Sequence, residues 1–70
     1  VNQDYYCDIY TERLCMRLVA GEGNDTAKQN MRHEILELMK QDGIPETISW
    51  KWAVEARNRA IKEGILEPLK

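Results

Sequence analysis

The sequence predicts a small all-α protein, a three-helix bundle, and its helix endings carry most of that expectation. Two segments stop in the same way, Lys40-Gln41-Asp42-Gly43-Ile44-Pro45 and Lys62-Glu63-Gly64-Ile65-Leu66-Glu67-Pro68. In each, a glycine can take the left-handed conformation that closes a helix, the isoleucine after it can fold back on the last turn, and a proline prevents continuation. Gly21-Glu22-Gly23-Asn24-Asp25 supplies the remaining break. Between these stops, apolar residues recur at helical spacing. The elements expected are helices over about 4–20, 26–42 and 48–63, in one domain spanning 1–70.

The first helix has an unusual pattern. Cys7, Tyr10, Leu14 and Leu18 make one stripe, while Tyr5, Ile9 and Met16 make another on nearly the opposite side. A helix apolar on two sides has two things to touch, and here these are the rest of the bundle and a partner chain. The competing expectation is a helix sandwiched between the other two, or Tyr5 and Tyr6 preceding it and lying over the core. Tyr5, Tyr6 and Tyr10 are large amphipathic side chains of the kind interfaces favour. Asp4, Asp8 and Glu12 recur along one side as a solvated acidic edge.

The middle helix is expected to start with Asn24, Asp25 or Thr26 as N-cap, with Thr26 to Gln29 fitting a capping box. Ala27, Met31, Ile35, Leu38 and Met39 fall on one arc, a single buried face, and Arg32, His33, Glu37 and Lys40 lie largely outside it.

The last helix should begin near Thr47 or Ser49. Trp50, Val54 and Ile61 form its core stripe by phase, with Ala53, Ala56 and Ala60 beside them to permit close approach. Trp52 falls at the boundary and is the tryptophan expected to be exposed, beside Lys51 and Glu55. Arg57 projects from the same stripe as Trp50 and Ile61, where a charge is costly without a carboxylate, an aromatic face or water. Its stem can pack on the core while its head reaches solvent; alternatively it anchors an acidic group of a partner. Beyond it, the leucines of Ile65-Leu66-Glu67-Pro68-Leu69 are expected to pack back across the bundle.

Composition limits the function. With two cysteines and one histidine, the chain has too few ligands for an ordinary zinc site, and no metal or other cofactor is expected. Cys7 and Cys15 on one helix stand roughly 12 Å apart along its axis. That is beyond the reach of about 7 Å that a disulfide allows, so reduced thiols and a cytoplasmic setting are expected. No run of apolar residues is long enough to span a bilayer, and no helix combines a broad apolar face with a strongly basic one, so no membrane partner is expected. His33 lies on a polar face, and no phosphate loop, Cys-x-x-Cys or His-Glu-x-x-His pattern occurs, which argues against an enzyme. Val1 where an initiating Met would stand suggests a trimmed or excised chain.

These features lead to a non-enzymatic binding or regulatory protein acting through protein contacts, as a homodimer joined along the first helix. Its interface residues are Tyr5, Ile9, Met16, Trp52 and Arg57. An alternative is a DNA-binding regulator, because the last two helices resemble a helix-turn-helix in outline and Lys51, Asn58, Arg59 and Lys62 could meet nucleic acid. The net charge of −2, the interruptions at Glu55 and Glu63, and a connection that looks longer than the usual turn weigh against it. A further alternative is a helical structural subunit of a larger assembly.

Overall fold

The computed structural model describes residues 2–66, which form α1 (Gln3–Val19), α2 (Asn24–Gln41) and α3 (Glu46–Lys62). All three helix pairs are in contact, giving the three-helix bundle. Each helix ends in a Schellman motif. After α2, the Ile44 amide donates to the Met39 carbonyl at 2.9 Å and that of Gly43 to Lys40 at 3.1 Å. After α3, Ile65 donates to Ala60 at 2.9 Å and Gly64 to Ile61 at 3.0 Å. The glycines at these turns have φ of +82° and +77°, which side chains of L-residues rarely adopt. Ile44 and Ile65 both pack against the core.

The break after α1 uses the same backbone pattern, with Glu22 donating to Arg17 at 3.1 Å and Gly21 to Leu18 at 3.0 Å. The hydrophobic contact that usually accompanies the motif is replaced here by an ion pair, Arg17 Nη1 to Glu22 Oε2 at 3.2 Å. Arg17 also reaches Glu34 at 3.1 Å, and Arg13 joins the same carboxylate at 3.1 Å, tying α1 to α2. Burial pushes the Glu34 carboxyl up, but the hydrogen bonds from Arg13 and Arg17 outweigh it and hold it below the usual range.

Helix starts differ from the sequence expectation. At α1, Asn2 is the cap, its Oδ1 accepting from the Tyr5 amide at 3.1 Å, so Tyr5 and Tyr6 lie within the helix. At α2 the cap is Gly23, with no side-chain hydrogen bond, and the helix begins at Asn24. The capping role of Asn24, Asp25 or Thr26 is therefore not filled: the first turn forms on backbone alone, Ala27 donating to the Gly23 carbonyl at 2.8 Å. At α3, Pro45 is the cap and Glu46 opens the helix, earlier than Thr47, 48 or Ser49. Proline's fixed φ suits a helix entrance, and Ser49 is already inside, its hydroxyl bonded to the Pro45 carbonyl at 3.1 Å. The connection from Asp42 to Pro45 is thus four residues, within the usual helix-turn-helix range rather than longer.

The core consists of Tyr6, Cys7, Tyr10 and Leu14 from α1, Ala27, Met31, Ile35 and Met39 from α2, Ala53, Ala56 and Ala60 from α3, and Leu66. The α1 and α2 stripes are therefore as expected, with Leu18 and Leu38 partly buried at their edges. Tyr10 is buried with its stripe, and Tyr6, counted with Tyr5 and Tyr10 among the side chains suited to an interface, is fully buried as well. In α3 the expected face is rotated. The alanines and Ser49 point inward, while Trp50 and Val54 are exposed. The reason is volume: large tyrosine and methionine side chains from α1 and α2 fill the centre, leaving room for only small residues opposite them. The same rotation exchanges the tryptophans. Trp52 is half-buried, its ring 5.8 Å from that of Tyr6, and Trp50 is 46% exposed. Leu66 is buried as expected; Pro68 and Leu69 lie outside the described residues.

Candidate functional site

Two surfaces stand apart from this core. The first is a groove of about 300 Å³ between α2 and α3, with Tyr10 reaching in from α1. Its walls carry Lys28 and Arg32 from α2, and Trp50, Val54 and Arg57 from α3. The helices run up and down, so the first turns of α2 lie beside the last turns of α3, which puts Lys28 and Arg32 on the same hollow as Arg57. Among the described residues Asp25 is the one acid lining the groove, so its three cations give it a local positive excess in a chain of net charge −2.

The cations differ in how they are held. Lys28 is only 7% exposed and its Nζ lies 3.5 Å from Asp25 Oδ1. The Arg32 guanidinium carbon sits 5.9 Å from the centroid of the Trp50 ring, a cation–π contact that presents the indole and the charge together. Arg57 is half-buried, and its Nε is buried with no hydrogen-bond partner among the described residues. The inter-helix ion pairs use Arg13, Arg17 and Arg59 instead. Burial raises the neighbouring Tyr10 phenol, an effect that the positive charge of Arg57 partly offsets.

The second surface is the outer side of α1. Tyr5 is 46%, Met16 67% and Val19 89% exposed, and Ile9 is half-buried beside them. Asp8 and Glu12 are exposed on the same side, so this face mixes apolar and acidic groups. It shares no residue with the groove.

No protein-family model, curated protein or solved structure matches this chain. Its surfaces must therefore be read from their own chemistry.

The residues singled out in the sequence are separated by the fold. Tyr5, Ile9 and Met16 lie together on α1, Arg57 lies in the groove, and Trp52 packs on Tyr6 outside the groove. Lys51, Asn58 and Lys62 are exposed on the outer side of α3 with Glu55 among them, but Arg59 turns to α1 and bonds Asp4 at 3.1 Å. Cys7 is buried and Cys15 exposed, both as free thiols, and burial pushes the Cys7 thiol up, away from nucleophilic character. Among the described residues, no group of three or more His, Cys, Asp or Glu side chains could hold a metal ion. No helix among them is long and apolar enough to cross a membrane.

Sequence reasoning missed the groove because it treated Arg32 as plain surface and Trp50 as core. A signal was present. On a helical wheel Lys28 falls between Ile35 and Met39, inside the buried arc, as Arg57 falls between Ala53 and Ile61. Cations at buried phases on consecutive antiparallel helices, one early and one late, meet across the interface between them.

Proposed function

We propose that this chain is a non-enzymatic cytoplasmic binding protein that acts through protein contacts, taking an acidic, amphipathic partner segment into the α2–α3 groove. The observation that carries this reading is Arg57. Arg57 lines the groove and no carboxylate among the described residues forms an ion pair with its guanidinium, so a partner's carboxylate arriving at its head supplies that electrostatic partner. Trp50 and Val54 beside it offer apolar area for a neighbouring side chain, the combination of aromatic and arginine that anchors interfaces. The free thiols fit a reducing compartment.

The test is a fluorescence-anisotropy titration with a labelled short amphipathic peptide of Glu, Leu and Met. Saturable binding that weakens with salt and is lost in Arg57→Glu is expected, with no binding of a Lys, Leu and Met peptide of equal length. Binding that is indifferent to Arg57 would end this reading.

A DNA-binding regulator remains the second reading, favoured by the four-residue connection between α2 and α3 and by Lys51, Asn58 and Lys62 on one outer side. It is weaker because Glu55 lies among these residues and Arg59 is engaged by Asp4. A mobility shift with mixed duplex DNA at low salt distinguishes the two readings.

A further inference from the structure

We infer that the acidic segment received by the groove is the outer face of α1 of a second copy of this chain, so that copies associate head to tail. The inference rests on the groove being an acid-binding site, and adds the identity of the occupant.

Charge complementarity points to this pairing. Among the described residues the groove carries Lys28, Arg32 and Arg57 against the single acid Asp25, and the α1 face carries Asp8 and Glu12. The two surfaces also match in apolar character: Trp50 and Val54 are exposed on the groove side, and Tyr5, Met16 and Val19 on the α1 side. The α1 face from Tyr5 to Val19 spans roughly 21 Å of helix axis and Trp50 to Arg57 roughly 10 Å, at the usual rise per residue, so the groove covers about half of that face. A carboxylate of α1 can therefore lie at the guanidiniums while an apolar neighbour rests on the indole.

The symmetric alternative, α1 against α1, sets Asp8 and Glu12 against a like-charged surface, and like charges in contact oppose association. A head-to-tail contact instead joins opposite charges. Because the two surfaces share no residue, one copy can use both, and the association continues unless the rotation between copies closes it into a ring.

Sedimentation of the full chain under reducing conditions tests this, with two variants that each close one surface: Arg57→Glu for the groove and the double change Asp8→Lys, Glu12→Lys for α1. All the altered positions are partly or fully exposed, and circular dichroism checks that each variant keeps its helices. The wild-type chain should show a mass that rises with protein concentration and falls with added salt. Each variant alone should lose about tenfold or more in self-affinity, the equivalent of one charge-assisted hydrogen bond. The double-lysine variant retains an open groove and Arg57→Glu retains an open α1 face, so adding wild-type chain to either should give capped, shorter assemblies, and mixing the two variants should restore the association that neither shows alone. A wild-type chain that stays monomeric throughout, or variants that stay monomeric when mixed, would overturn the inference. If the acidic peptide still binds in an Arg57-dependent way in that case, the acid-binding groove stands and only its occupant is wrong; if the peptide also fails to bind, both fall.

Discussion

The Tyr6 hydroxyl donates a 2.6 Å hydrogen bond to Oδ2 of Asp42, the residue that closes α2. The phenol is fully buried, and burial together with the neighbouring carboxylate pushes its pKa up to about 12. An unfolded tyrosine ionises near 10. Between neutral pH and that value both states hold the phenol proton and the bond adds a constant stability. Above it the unfolded chain releases the proton while the folded chain keeps it, so stability falls as pH rises toward the folded value. The Cys7 thiol, also raised by burial, acts in the same direction from a lower starting point. Tyr6→Phe should cost about 1 kcal/mol at neutral pH and flatten the loss of stability above about pH 10. Urea midpoints for both proteins across that range check this; parallel curves would show that Tyr6 does not control the alkaline limb.

Gly43 and Gly23 offer a matched pair. A Cβ added at either meets no atom within 4 Å, so sterics with neighbours do not separate them. Their backbones do: Gly43 has φ of +82° and Gly23 has φ of −67°. Gly43→Ala should destabilise by about 1 to 2 kcal/mol, the penalty of the left-handed conformation. Gly23→Ala should cost less, about 0.5 kcal/mol, because alanine is a poorer N-cap than glycine while reduced freedom of the unfolded chain offsets part of that loss. Thermal melts of the two variants give the comparison, and equal shifts would mean that the turn after α2 is not a determinant of stability.

The two tryptophans should respond in opposite ways to truncation. Trp52 packs on Tyr6 and against the core, so Trp52→Ala should cost about 3 kcal/mol, at the lower end for a large side chain because it is only half-buried. Trp50 meets Arg32 and solvent, and Trp50→Ala should cost less than about 1 kcal/mol while weakening binding of the acidic peptide. Denaturant unfolding followed by circular dichroism separates these effects from the loss of a fluorophore. A large stability loss for Trp50→Ala would place it in the core despite its exposure.

How much of this was legible in the sequence depended on whether the determinant was local. The stops at Gly43 and Gly64 were readable because a glycine, an isoleucine and a following proline act within a few residues of one another. The buried arcs of α1 and α2 were readable because their largest apolar residues share a phase. The face of α3 was not, because its orientation is decided by volume on the other two helices. An alanine line and a tryptophan line adjoin on α3, and only the presence of Tyr6, Tyr10, Met31 and Met39 in the centre selects the alanines. The groove follows from that choice, since rotating Trp50 outward brings it beside Arg32. Arg57 was recognised from its phase, while its company was not, because Lys28 and Arg32 lie on a helix that precedes it by more than twenty positions.

Arg57 should show a conflict between stability and binding. Its Nε is buried without a partner among the described residues, and Lys28 and Arg32 add like charge to the same hollow. Arg57→Met keeps most of the stem's apolar volume and removes both the unmet donor and the repulsion. The variant should therefore be as stable as the parent chain or more stable by about 1 kcal/mol. It should at the same time lose affinity for the acidic peptide, because the guanidinium head is what meets the carboxylate. Arg57→Lys retains a charge but not the planar fork, and should fall between the two in binding. Chemical denaturation and the anisotropy titration, run on the same preparations, decide the matter. Residues selected for a binding task commonly sit where the free protein would be more stable without them. If Arg57→Met instead unfolds more readily, the guanidinium holds the bundle together and its position in the groove reflects structure rather than recognition.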